Sequence, residues 1–415
     1  MSERTGRSAL VVGAAAAVAA LSGILFLAIS ARSLSTEHNT AFLTYWAALF
    51  AVFAVLSGIQ NEMTRAVRAD RGLEREGPRA TSPLTAGLLV GAGAAIVVML
   101  LFPLWQAVFV GIGGALVPML LVAAAAFLYA GHVATVGTLA GLGRWNGFAG
   151  LSAGESLVRL ALAAGAALLG WGFIGFEAAA AAGTATWLVV TTLLPRWRVL
   201  WGIRIQLRLG ALLKRVANAM AAAGATALLV TGFPLLMSLT TDPAAYALAA
   251  PLIVAVSVTR APLLIPVTAF QSMVIASFVA HPERARSSLL KLVGAVVAVA
   301  VVGGALAALV GPWLMRLVFG PAYGNSPLVL AMLVVAAAFL ALLVLGGSVA
   351  LALDAHTVNT VGWYLALAVS VAIMLSPADL ATRTILALSI GPLVGSAFHF
   401  TFVLRALRRR TREDA

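Results

Sequence analysis

Midway along the chain, Pro195–Arg215 reads PRWRVLWGIRIQLRLGALLKR, with six cations at Arg196, Arg198, Arg204, Arg208, Lys214 and Arg215. On both sides of it the sequence turns apolar. A bilayer core about 30 Å thick takes about 20 apolar residues of helix. Six stretches of that kind precede the basic segment, at 8–31, 40–60, 84–106, 116–138, 147–170 and 173–194. Six follow it, at 216–239, 244–270, 288–310, 326–352, 357–375 and 381–404. The reading is an all-α polytopic membrane protein, with 12 transmembrane helices as two pseudo-symmetric six-helix bundles around a central cavity. Of the 415 residues, 62% are hydrophobic and 10% charged, against about 25% charged in a soluble domain, so an ordinary soluble enzyme is excluded. Runs such as 11–20 and 296–302 lack the alternation of barrel strands.

Charge placement sets the expected topology. With the N-terminus in the cytoplasm, twenty-two of the twenty-seven basic residues fall in inner segments. The outer loops hold Arg32, Arg316 and Arg383, and Arg159 and Arg260 lie inside helices. This is a positive-inside pattern, with both termini cytoplasmic in a bacterial cytoplasmic membrane. It accounts for the net charge of +13 without nucleic acid. The first apolar run is longer than a signal-peptide core of about 7–15 residues, so it reads as a retained helix.

The halves share local features. FPLWQAVF at 102–109 is echoed by GPWLMRLVFG at 311–320, and Gly58-Ile59-Gln60 by Ala269-Phe270-Gln271. This favours a parallel repeat, whose substrate site lies between the halves. The domain expectation is an N-terminal bundle at 1–195, a cytoplasmic linker at 196–215, a C-terminal bundle at 216–404 and a basic tail at 405–415.

Catalysis is not expected. There are no cysteines, no Walker A lysine and no HExxH motif. No cofactor or metal is expected. Charged residues inside apolar spans mark sites, because each is costly there unless paired or wet. Glu155 and Arg159 are four apart on one helical face, acid first, as a self-neutralising pair or as part of a cavity wall. Arg260 has no acid in its own span, and Pro251, Pro262 and Pro266 around it predict a kinked or unwound helix. Glu62 and Arg65 close the second span, and Asp354 and Glu177 are single acids that could carry a coupling ion. Trp46, Trp105, Trp187, Trp313 and Trp363 lie near predicted span ends, as in an interfacial belt.

Four stretches carry a resemblance. They are Ala31-Arg32-Ser33-Leu34 before an aromatic second helix; Gly58–Arg65; Gly141–Phe148 leading into Glu155 and Arg159; and Leu317–Tyr323. With these in order along nearly the whole chain, it resembles the Wzx-type polysaccharide and lipid-linked oligosaccharide flippases. These belong to the multidrug/oligosaccharidyl-lipid/polysaccharide exporter (MOP) superfamily. The resemblance implies two bundles forming a V, alternating access, and a substrate carried on undecaprenyl phosphate. It also implies that Arg260, Arg65 and Arg32 meet the pyrophosphate. The expected partners are the lipid-linked glycan, membrane lipids, and the polymerase and glycosyltransferases of polysaccharide assembly. Two alternatives stand beside it. One is a major-facilitator-type transporter of a small solute, hinted at by Asp70-Arg71. The other is a non-transporting component of a polysaccharide assembly complex.

Overall fold

In a computed structural model the backbone is described for residues 2–71, 81–109, 114–280, 285–353 and 355–413. Asp354, and the loop cations Arg75, Arg79 and Arg284, lie outside the described residues. Among the described residues sixteen α-helices run in order: α1 (Ser2–Ser33), α2 (Thr36–Arg71), α3 (Pro83–Leu100), α4 (Phe102–Val108), α5 (Leu116–Gly141), α6 (Trp145–Leu168), α7 (Gly172–Ala182), α8 (Thr186–Leu193), α9 (Leu209–Val230), α10 (Phe233–Leu239), α11 (Pro243–Tyr246), α12 (Ala250–Ala280), α13 (Ala285–Phe319), α14 (Pro327–Ala352), α15 (His356–Met374) and α16 (Leu380–Glu413). The twelve expected stretches are mostly helical, with interruptions at 101, 231–232 and 247–249. Among the described residues, ten helices are long and apolar enough to cross a membrane, and α9 with α10 makes an eleventh as one bent span. The only strand-like contact described is a bridge between Thr81 and Ile205.

Local chemistry explains where helices start and stop. Ser82 and Ser326 accept backbone N–H bonds from Thr85 and Val329, each with proline at the next position. The hairpin expected at Trp171-Gly172 is present. Gly170 and Gly172 take φ of +65° and +64°, a conformation that lets α6 reverse into α7 within a few residues. The local unwinding expected around Arg260 is not present, because α12 is continuous helix through Pro262 and Pro266. A break lies instead between α9 and α10, which meet at 65°. There the N–H groups of Thr231 and Gly232 both reach the carbonyl of Ala227, and Pro234 has no N–H to continue the ladder. The two matched prolines also differ: Pro103 opens α4, whereas Pro312 lies inside α13. Neighbouring helices can absorb the carbonyl that such a proline frees.

The chain divides into two compact units, Met1–Leu235 and Leu236–Ala415. In the first, α1 lies along α6, α3 along α5, and α2 against both α5 and α9. A Cβ on Gly58 of α2 would stand 2.7 Å from the Met220 nitrogen of α9, so glycine is required there. Thus α9, which the sequence groups with the second half, packs within the first unit. In the second unit α14 is the central element, touched by α12, α13, α15 and α16. His399 of α16 is seated against Gly346 and Gly347 of α14 and Gly362 of α15.

The outer surface is apolar. Along α13, Val299, Val301, Val302, Leu306 and Leu309 are exposed, as suits a lipid-facing helix and not a water-facing one. Trp105, Trp187 and Trp363 are buried, and of the five tryptophans expected near span ends only Trp313 is well exposed. Buried indole N–H groups find carbonyls: Trp187 donates to Leu128 at 2.7 Å and Trp105 to Val98 at 3.2 Å.

Candidate functional site

The first unit holds a partly open cavity of about 260 Å³ between α1, α2, α5 and α6. Its walls follow from helical spacing. On α6, Ser152, Glu155, Ser156 and Arg159 share one face at i, i+3, i+4 and i+7. On α2, Trp46, Phe50 and Phe53 follow the same rule and form an aromatic strip. On α5, Tyr129 and His132 are three apart. On α1, Ser22 and Gly23 leave room, and Gln60 of α2 adds an amide.

Glu155 and Arg159 form a buried ion pair, with Arg159 Nη2 donating to Glu155 Oε1. The Arg159 guanidinium lies 5.9, 4.9 and 5.8 Å from the ring centroids of Trp46, Phe50 and Phe53. Those distances fall within cation–π range. Arg159 is held from behind as well. A Cβ on Gly183, just after α7, would stand 2.9 Å from the Arg159 Cβ. Next to this cage, Tyr129 stacks on Phe53 at 3.9 Å and 15°, and His132 stacks on Tyr129 at 5.7 Å and 12°. The Nδ1 of His132 is buried with no hydrogen-bond partner among the described residues.

The other candidates lie elsewhere. Arg65 and Glu62 do not line this cavity. Glu62 is buried, accepts from Arg65 Nη2 at 2.6 Å, and has Arg215 of α9 at 3.7 Å. The pair is thus a link between α2 and α9, with Arg65 largely exposed. Arg32 is exposed in the last turn of α1. Arg260 is buried on α12, in the second unit. Glu177 is fully buried on α7, and neither carboxylate oxygen has a hydrogen-bond partner among the described residues. The Tyr45 hydroxyl, buried on α2, is likewise without one and lies within electrostatic range of both Glu177 and Arg159. Among the described residues no cluster of three or more His, Asp or Glu could hold a metal ion.

Sequence reasoning found Glu155 and Arg159 but missed the aromatic strip, Tyr129 and His132. The spacing of Trp46, Phe50 and Phe53 was a legible signal of one shared face. Nothing in the sequence said which charged helix that face would meet.

No family model matches the chain. Among solved structures, an inward-facing multidrug resistance MATE family transporter of the MOP superfamily aligns over 96% of both chains, with a TM-score of 0.70 at 14% identity. A MOP superfamily transporter from Pyrococcus furiosus aligns over 98% of this chain and 95% of its own, with a TM-score of 0.66 at 17% identity. At such identities the likeness establishes the fold: a multi-pass helical membrane protein of MOP transporter architecture. Among curated proteins, the uncharacterized protein Rv3630 of Mycobacterium tuberculosis is 36% identical over 396 residues, covering 95% of this chain and 91% of that protein. Rv1510 of the same organism is 35% identical over 394 residues, with the same coverages. The chain therefore belongs to the family that contains Rv3630 and Rv1510 of Mycobacterium tuberculosis, built on the MOP transporter fold.

Proposed function

We propose that this protein is a transporter that moves a lipid-linked, polyprenyl-phosphate glycan precursor across the bacterial cytoplasmic membrane by alternating access, with both termini in the cytoplasm. The observation that carries this reading is the cavity of the first unit. It places serines, an amide, an imidazole and an ion pair among aromatic faces, inside helices whose outer surface is apolar. Polar lining at that depth is costly and marks a path for a polar cargo. The multidrug resistance named for one structural neighbour points instead to an amphipathic cation. Against that, Glu155, the only acid among the described residues that line the cavity, is already neutralised by Arg159. Hydroxyls, an amide and ring faces suit a sugar better than a cation.

The phosphate of such a cargo needs fixed cations, and Arg holds phosphate bidentately. Arg260, buried on α12, is assigned that role, with Arg65 and Arg32 as exposed cations that meet the headgroup on its way in or out. Glu177 is the candidate for ion coupling, with Asp354 as the second. The polymerase and glycosyltransferases that make and consume the glycan are the fitting partners.

The test is reconstitution. Proteoliposomes would carry a fluorescent polyprenyl-pyrophosphate-linked sugar, quenched from outside by dithionite. With the protein present, quenching should proceed beyond the outer-leaflet fraction. Arg260→Ala should stop this in a folded protein, and Arg260→Lys should restore part of it. Identical plateaus with and without protein would remove the flippase reading.

A further inference from the structure

We propose that the basic linker, residues 193–209, is a docking surface for anionic phospholipid headgroups, in the leaflet at which α8 ends and α9 begins. The inference rests on the membrane fold alone and is independent of what the transporter carries.

Three observations carry it. First, the segment is held in place. Leu200 and Ile205 are buried in the core of the first unit, and Trp197 packs against that core. Ile205 and Thr81 exchange backbone hydrogen bonds at 2.9 and 3.3 Å. The carboxylate of Asp70, at the end of α2, accepts the N–H of Gln206 at 2.8 Å. Second, the residues turned away from the core are cationic. Arg196, Arg198, Arg204 and Arg208 are exposed, and none is ion-paired among the described residues. No acid occurs anywhere in 193–215. Two of the four are braced by the segment's own backbone. Arg198 Nε donates to the Thr192 carbonyl at 2.9 Å, and Arg204 Nη1 to those of Trp201 and Ile203 at 2.9 and 3.0 Å. Each guanidinium keeps further N–H donors for phosphate oxygens. Third, apolar side chains stand exposed among these arginines. Leu193, Leu194, Val199 and Trp201 are each at least 40% exposed, and the Trp201 ring is seated 6.1 Å from buried Trp187. Water penalises such a surface, whereas a bilayer interface accepts indole and arginine side by side. The linker joins a span that ends at Leu193 to one that begins at Leu209, which keeps it at headgroup level. Fixed cations among apolar side chains suit a phosphodiester that carries acyl chains better than a soluble phosphate.

The experiment uses the full chain in nanodiscs of equal phosphatidylglycerol and phosphatidylethanolamine. Native mass spectrometry then counts the lipids that stay bound on release. Wild-type protein should retain phosphatidylglycerol in excess. Changing Arg196, Arg198, Arg204 or Arg208 singly to Gln should lower the excess by up to about fivefold, the scale of one interfacial cation. Changing all four should abolish it. A control with Arg408, Arg409, Arg410 and Arg412 changed to Gln removes the same charge from the tail and should keep the excess. Asp70→Ala is the sharpest arm. It raises the net positive charge by one but frees the linker, so the excess should fall, whereas unspecific attraction to a basic protein predicts a rise. The proposal is overturned by no excess in wild type, by an equal loss in the tail control, or by an unchanged or raised excess in Asp70→Ala. Displacement of phosphatidylglycerol by glycerophosphoglycerol, its soluble headgroup, would also overturn it, since the ligand would then be a free phosphate. If Asp70→Ala fails to fold, phosphatidylglycerol with a diazirine in its headgroup decides on wild-type protein. Labelling within 193–209 supports the docking surface, and labelling confined to other segments removes it.

Discussion

Glu155 on α6 and Glu177 on α7 are both buried acids of the first unit, yet their surroundings differ. Glu155 has its counter-charge one turn away on the same helix. Glu177 has no hydrogen-bond partner for either oxygen among the described residues, and its neighbour in sequence, Phe176, packs on Phe26 and Phe42. A helix that carries both members of a pair can enter the membrane already neutralised. A helix that carries one acid relies on whatever the fold, or a mobile ion, brings to it. One acid is paired within its own helix and the other has no hydrogen-bond partner among the described residues, and four measurements press on that difference.

The largest effect is expected from Glu155→Gln, which strands Arg159 inside its aromatic cage. Breaking a buried pair costs about 3–5 kcal/mol. The melting temperature in detergent should drop accordingly, and Glu155→Gln/Arg159→Gln should recover most of the loss. If the single variants keep their stability but lose transport, the pair acts on the cargo directly and the contrast with Glu177 weakens.

A smaller loss is expected from Gly183→Ala. The new methyl would stand 2.9 Å from the Arg159 Cβ and push Arg159 away from its partner. Overpacking of this kind costs about 1–3 kcal/mol. The same substitution in the Arg159→Gln background should cost less, and equal costs in both backgrounds would show that the glycine does not act through the ion pair.

Glu177→Gln should be gentler still, under about 1 kcal/mol, since no ion pair or hydrogen bond is lost. Its effect should appear in transport, as loss of dependence on an imposed proton or cation gradient. A stability loss as large as that of Glu155→Gln would mean that Glu177 has a resident counter-charge and would dissolve the comparison.

The smallest effect belongs to an exposed acid, Asp379, in the loop before α16. Hydrogen bonds from Thr382, side chain and backbone, hold its carboxyl below the ordinary aspartate range. Thr382 N–H lies 3.0 Å from Asp379 Oδ1, a helix N-cap. A lowered folded value means that the stabilisation is complete at neutral pH, above the unfolded-state value of about 3.9. It is lost as pH falls through the lowered folded value. The melting difference between wild type and Asp379→Ala should therefore be flat from pH 8 to about 5 and shrink below about 4.

Legibility in the sequence followed the range of the interaction. The Glu155–Arg159 pair was readable because spacing of four on one helix is a local fact. So was the hairpin at Gly170–Gly172. The burial of Glu62, exposed by its place at a span end, was not readable, since Arg215 reaches it from α9 across more than a hundred residues of chain. Prolines misled in both directions. Three around Arg260 pointed to a local unwinding that α12 does not have, while Gly232-Phe233-Pro234 passed unnoticed where the chain bends. A proline removes one donor locally, but whether the helix yields depends on the neighbours available to take up the freed carbonyl.

By itself the sequence determined an all-helical membrane chain with apolar stretches of spanning length in order, and a basic divide in the middle. Length and hydropathy are properties of a segment and need no partner. Only the tertiary structure decided which faces meet: Trp46, Phe50 and Phe53 over Arg159, His132 beside Tyr129, and α9 against α2. In a soluble protein an amphipathic stripe announces the buried face. Lipid is as apolar as a packed core, so helices such as α3 and α14 carry no such stripe, and their contacts are chosen by small residues and shape instead.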